Sequence, residues 1–120
     1  MEIRSIDAVL PAEDLDRAKA FYTDKLGLTA KDQPGGLEIG DGKSVLFTYV
    51  AGAKSPGNFT QAGIRVPDVK AAVDELRTKG VAFEEYDQPG LKTENGLATL
   101  PDGEQAAWFK DSEGLSLIHI

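Results

Sequence analysis

The 120-residue chain predicts an α+β fold made of two βαβββ modules of near-equal length. Three observations carry this. Two aspartates stand where helix caps are needed, Asp14 and Asp68, 54 positions apart (68 − 14). Two glycines stand where the same helices must stop, Gly27 and Gly80, 53 apart (80 − 27). Each helix so bracketed follows one short strand-like run and precedes several more, separated by turn residues. The repeat lies in the punctuation and not in residue identity.

Residues 3–10 read as the first strand, with Ile6, Ala8 and Leu10 on one face and Ser5, Asp7 and Val9 on the other. A helix follows over 15–26, its apolar stripe made by Leu15, Ala18, Phe21, Tyr22 and Leu26. Short strands are expected at 28–31 and 37–39, with a turn at Gln33-Pro34-Gly35-Gly36 between them. Asp41-Gly42 signals a hairpin into an apolar strand over 44–50. The Gly-, Ser- and Pro-containing stretch 51–58 links module one (1–52) to module two (60–120). Module two opens on a strand at 61–66. Asp68 then caps a helix carrying Val69, Ala72, Val73 and Leu76. A strand at 81–86 and a long loop over 87–95 come next. Strands at 97–100, 105–110 and 115–120 complete the module, with turns at Pro101-Asp102-Gly103 and Ser112-Glu113-Gly114.

Length and composition indicate one soluble domain with an ordinary core, 41% hydrophobic and 28% charged. The net charge of −7 speaks against nucleic acid and anionic membranes, which require a cationic footprint. With no cysteine there is no disulfide, thiolate metal site or cysteine nucleophile. The opening Met1-Glu2-Ile3-Arg4-Ser5 has no signal-peptide core, and no run approaches a membrane span, so a cytoplasmic location is expected.

Phe21-Tyr22-Thr23-Asp24-Lys25-Leu26-Gly27-Leu28, approached through Glu13-Asp14-Leu15-Asp16-Arg17-Ala18, resembles the vicinal oxygen chelate superfamily. That superfamily holds glyoxalases, extradiol dioxygenases, bleomycin-type resistance proteins and fosfomycin-modifying enzymes. Its second marker, a D-P-D-G-N turn before the last strand, here reads Asp111-Ser112-Glu113-Gly114-Leu115. The resemblance spans the chain. It implies a cupped mixed sheet of the glyoxalase/bleomycin-resistance type, with a ligand or a divalent metal in the cup and modules of two chains side by side in a homodimer. A shared scaffold does not fix a shared reaction.

Carried over residue by residue, the resemblance implies four metal-ligand positions. They fall at Asp7, at Gln61, at Leu46 or Phe47, and at Ile118. Two are oxygen-bearing and two are hydrocarbon, and a carboxylate with one neutral amide gives a weak divalent site at best. A dioxygenase-type iron site needs two histidines, and the chain has only His119. Alternation sets His119 on the face opposite Ile118, in a structural or interface role. Asp7 is also a candidate catalytic base. Arg65, on the matched strand of module two, is its expected partner, either in an ion pair that holds the modules or at a ligand anchor. Glu84 and Glu85 point to opposite faces, so at most one enters the cup. Phe47, Tyr49, Tyr86 and Trp108 lie on strands or their ends and would line a cup suited to a flat apolar compound.

The expected function is therefore a metal-independent small-molecule-binding protein, with no cofactor beyond a weak divalent ion. Its ligand-contacting residues would be Asp7, Phe47, Tyr49, Gln61, Arg65, Tyr86, Trp108 and Ile118. The competing expectation is a metal-dependent glyoxalase-like lyase or isomerase.

Overall fold

The computed structural model describes residues 1–4 and 8–120. The fold is α+β, with two mixed sheets and few helices. The chain divides into two compact units, Met1–Ser55 and Pro56–Ile120.

Unit one holds strands β1 (Ala8–Ala12), β2 (Thr29–Gln33), β3 (Gly36–Gly40) and β4 (Val45–Val50) in the order β1-β4-β3-β2. The first strand therefore lies parallel to the last, and the others meander antiparallel beside it. β1 runs on through Pro11 to Ala12, past the expected end at residue 10. Its side chains alternate. Leu10 and Ala12 are buried, with Ile39, Leu37 and Thr48, against the helical side, while Val9 is 53% exposed on the far side. The hairpin between β3 and β4 is set by Asp41, whose Oδ1 accepts from the N–H groups of Ser44 and Lys43, both at 2.7 Å. These two bonds, the Ser44 one first, hold its carboxyl below the ordinary value.

Helix α1 (Leu15–Ala20) starts at Asp14, whose Oδ1 accepts from the Arg17 N–H at 3.0 Å. It continues as a π-helical turn over Phe21–Lys25, with the Leu26 N–H reaching the Phe21 carbonyl at 3.4 Å. From cap to stop glycine the first helix spans 13 steps (14 to 27) and the second 12 (68 to 80), a difference of one residue. A π turn houses one residue without moving either end. Gly27 (φ 70°) and Gly80 (φ 85°) then close both helices in the left-handed conformation.

Unit two holds β5 (Thr60–Ile64), helix α2 (Val69–Thr78), β6 (Asp87–Gln88), β7 (Leu91–Glu94), β8 (Leu97–Thr99), β9 (Gln105–Lys110) and β10 (Ser116–His119). The sheet order is β5-β10-β9-β8-β7-β6, again with the first strand parallel to the last. Asp68 caps α2 by accepting from the Ala71 N–H at 3.0 Å. The turn into β10 is built on buried Asp111, whose Oδ1 accepts from Glu113 N–H (2.8 Å) and Leu115 N–H (2.9 Å).

Two expectations for unit two are corrected. The strand expected over 81–86 is a single bridge, Phe83 to Phe109. The ladder ends because Tyr86 turns away to Thr93, which bonds both its N–H and its carbonyl. The long loop expected over 87–95 is a hairpin, β6 to β7, turning at Pro89-Gly90. A second tight turn at Asn95-Gly96, both at positive φ, leads into β8.

The two faces of the unit-two sheet differ. On the α2 side, Ala107 packs with Val69 and Val73, and Phe83 and Phe109 lie 5.5 Å apart. On the far side, Trp108, Ala98 and Ala106 form a second cluster with Tyr86, Leu91, Ile118 and Ile120.

Candidate functional site

The positions implied by the resemblance are placed by this strand geometry. Asp7, and with it the proposed Asp7–Arg65 pairing, lies outside the described residues. In unit one, β4 turns Phe47 and Tyr49 to the far side, while Leu46 shares the helical side with buried Thr48. Phe47 is therefore the far-side residue at that position. Its neighbours across the sheet are Val9 on β1 and Glu38 on β3. The Phe47 ring lies over Gly36, where a side chain would collide with it.

In unit two, Ile118 pairs with Trp108 across β10 and β9, and with Gly63 on β5. Gln61 departs from the simple alternation. The parallel register jumps from Thr60↔Ser116 to Ala62↔Leu117, so Gln61 is the extra residue of a β-bulge, exposed and without a partner on β10. Arg65 is exposed and borders a groove of about 460 Å³ with Glu104, Gln105 and Ile120. Phe47, Tyr49, Trp108 and Ile118 thus all lie on far-side faces, each within its own unit.

Among the described ligand positions only Gln61 carries a donor atom. Phe47 and Ile118 carry no donor atom, and Gln61 sits in the bulge. Among the described residues no three of His, Asp and Glu gather as a metal site would require.

What the far side of unit two does hold is an aromatic corner. The Tyr86 ring stands edge-on to the Trp108 indole, with centroids 5.6 Å apart and planes at 90°. Trp108 is 9% exposed, and Tyr86, Leu91 and Ile118 around it are half-buried. Tyr86 is held by Thr93, which is buried. The Thr93 Oγ1 accepts from the Tyr86 N–H at 2.8 Å, and the Thr93 N–H donates to the Tyr86 carbonyl at 2.9 Å. The Thr93 hydroxyl donates in turn to the Glu85 carboxylate at 2.6 Å. Burial, and then the charge of Glu84, push the Tyr86 phenol above its ordinary value.

Thr93 is a residue that sequence reasoning passed over, although a signal for it exists. Asn95-Gly96 is a two-residue hairpin turn, and it forces Glu94↔Leu97 and then Thr93↔Ala98. That register alone puts Thr93 on the face of Ala98.

His119 lies opposite Ile118, on the α2 side, as alternation requires. It is 3% exposed, its ring is 4.9 Å from Phe109, and its Nδ1 has no hydrogen-bond partner among the described residues. Burial holds its imidazole below the ordinary value, and Glu75 on α2 opposes this only in part. Between that depressed value and about 6.5, the unfolded chain carries a proton that the folded chain does not. Stability is therefore complete above about pH 6.5 and falls on acidification, by at most about 1.4 kcal/mol per pH unit from this group. His119→Met is expected to flatten the slope of unfolding free energy just below about pH 6.5. Denaturant titrations across that window would refute this if wild type and variant run parallel.

The chain matches the family described as Glyoxalase/Bleomycin resistance protein/Dioxygenase superfamily over residues 5–117. No curated protein sequence matches it. Among solved structures it is similar to UcmS2, at 20% identity and a TM-score of 0.72, with 98% of each chain covered. It is similar to TnmS3, an antibiotic binding protein from Streptomyces sp. CB03234, at 22% identity and a TM-score of 0.64, covering 99% of this chain and 97% of that one. It is also similar to the lactoylglutathione lyase from Agrobacterium tumefaciens, at 20% identity and a TM-score of 0.72, covering 98% and 93%. At these identities the likeness is one of fold.

Proposed function

The chain belongs to the glyoxalase/bleomycin resistance protein/dioxygenase superfamily, and from that premise we propose that it is a metal-independent small-molecule-binding protein. The ligand is a flat apolar or aromatic compound held on the far-side faces of the sheets. The observation that carries the reading is the aromatic corner of Trp108 and Tyr86, bordered by Ile118 and Leu91. Such a corner offers large rigid apolar area with two polar handles, the indole N–H and the phenol. Hydrocarbon at Phe47 and Ile118 favours binding over metal-assisted chemistry, because neither can ligate an ion. The antibiotic binding recorded for TnmS3, on the same fold, supports the same class.

The assembly proposed with it is a homodimer, since Val9, Val45 and Val50 leave 41–56% of their surface exposed on strands β1 and β4. A cytoplasmic site of action goes with the reading, and no helix among the described residues is long and apolar enough to cross a membrane.

Trp108 is the only tryptophan, so its indole N–H gives a single reporter signal in a ¹⁵N-correlated NMR spectrum. Titration with fluorenone and with fluorene is expected to shift that signal saturably, and excess EDTA is expected to leave the titration unchanged. Binding that vanishes with EDTA and returns with zinc, nickel or manganese would overturn metal independence. One tightly held divalent ion per chain by elemental analysis would do the same.

A further inference from the structure

We infer that the Tyr86 hydroxyl donates a hydrogen bond to the ligand, so that the site selects flat compounds carrying an acceptor oxygen at one edge, of ketone or quinone type, over plain hydrocarbons. The inference rests on the binding reading above and deepens it.

Three features of the corner lead there. First, Tyr86 is fixed. Its backbone is bonded on both sides by Thr93, and the Thr93 hydroxyl is itself bonded to Glu85, so the strand segment that carries the ring is held beside Trp108. Second, the ring meets Trp108 at 90°, so a flat molecule stacked on the face of one ring meets the edge of the other. Third, the phenol is open to a ligand. Tyr86 is half-buried beside Trp108, and no group among the described residues bonds its hydroxyl. The hydroxyl is not among the buried polar atoms that lack a partner, so it stays within reach of a ligand's acceptor oxygen. A phenol is protonated at neutral pH, and so able to donate.

Fluorenone and fluorene are the matched probes, since they share a flat skeleton and differ in one carbonyl. Wild type is expected to bind fluorenone more tightly than fluorene. Tyr86→Phe removes only the hydroxyl. It is expected to weaken fluorenone by about fivefold, the size of one neutral hydrogen bond, and to leave fluorene unchanged. The carbonyl stretch of bound fluorenone should sit at lower wavenumber in wild type than in the variant, a direct sign of the donated bond. An equal loss for both probes would make Tyr86 a packing residue and overturn the inference. So would an unchanged fluorenone affinity with an unshifted carbonyl, and in both cases the binding reading survives. If wild type binds neither probe, the binding reading itself fails and takes this inference with it.

Discussion

Gly36→Ala is expected to destabilise the protein by about 3 kcal/mol or more, seen as a fall in melting temperature of roughly 10 °C. Gly36 opens β3, where its backbone runs close beside β4. A methyl group there would fall inside contact distance of the Thr48 carbonyl oxygen and come 2.6 Å from the Phe47 ring. The ring can turn aside, but the carbonyl is part of the backbone. Relief therefore requires β3 and β4 to separate, which breaks ladder bonds at the centre of the unit-one sheet. Gly52→Ala is the control, since nothing lies within 4 Å of a Cβ at that site and its backbone is not in the left-handed region. It should change stability by no more than about 0.5 kcal/mol. If the two variants melt together, the close approach of the strands at Gly36 is wrong.

Trp108→Ala is expected to lower stability by about 3–5 kcal/mol and to abolish binding of both fluorene and fluorenone. The indole is 9% exposed and central to the far-side cluster, so truncation leaves a cavity that Ala98 and Ala106 are too small to fill. The variant also leaves Tyr86 without the ring it stands against. Trp108→Phe separates the two effects. It keeps an aromatic surface, and so should recover part of the stability and some affinity for fluorene. Equilibrium denaturation together with probe titration measures both. A Trp108→Ala variant within about 1 kcal/mol of wild type would mean that the far-side cluster is not a packed core.

The helices were legible in the sequence because their ends are chemical. An aspartate that accepts an N–H and a glycine that takes positive φ act locally, and Asp14, Gly27, Asp68 and Gly80 do this in the structure. The facing of β4 and β10 was legible for a similar reason, since alternation is local and fixes Phe47, Tyr49 and Ile118 once the strand is known. The segment 81–94 was not legible in this way. Its course depends on Thr93 capturing Tyr86 across seven residues, a contact that no window of propensity contains. The bulge at Gln61 was hidden too. It arises from the mismatch between β5 and a strand more than fifty residues later. Counting back from Asp68 keeps side chains on their proper faces as far as Ala62 and fails at the next residue.

The π turn at Phe21–Lys25 bears on how the halves of this chain can be exchanged. Transplanting residues 68–80 between the positions of Asp14 and Gly27 would leave the graft one residue short. Because the π turn takes up its extra residue between fixed ends, the graft would keep both ends of the helix and lose the π turn itself. Tyr22, 1% exposed in the native helix, would give up its place to a residue chosen for another surface. What such a chimaera would test is the surface that the π turn presents, since the ends of the helix are the same with it or without it.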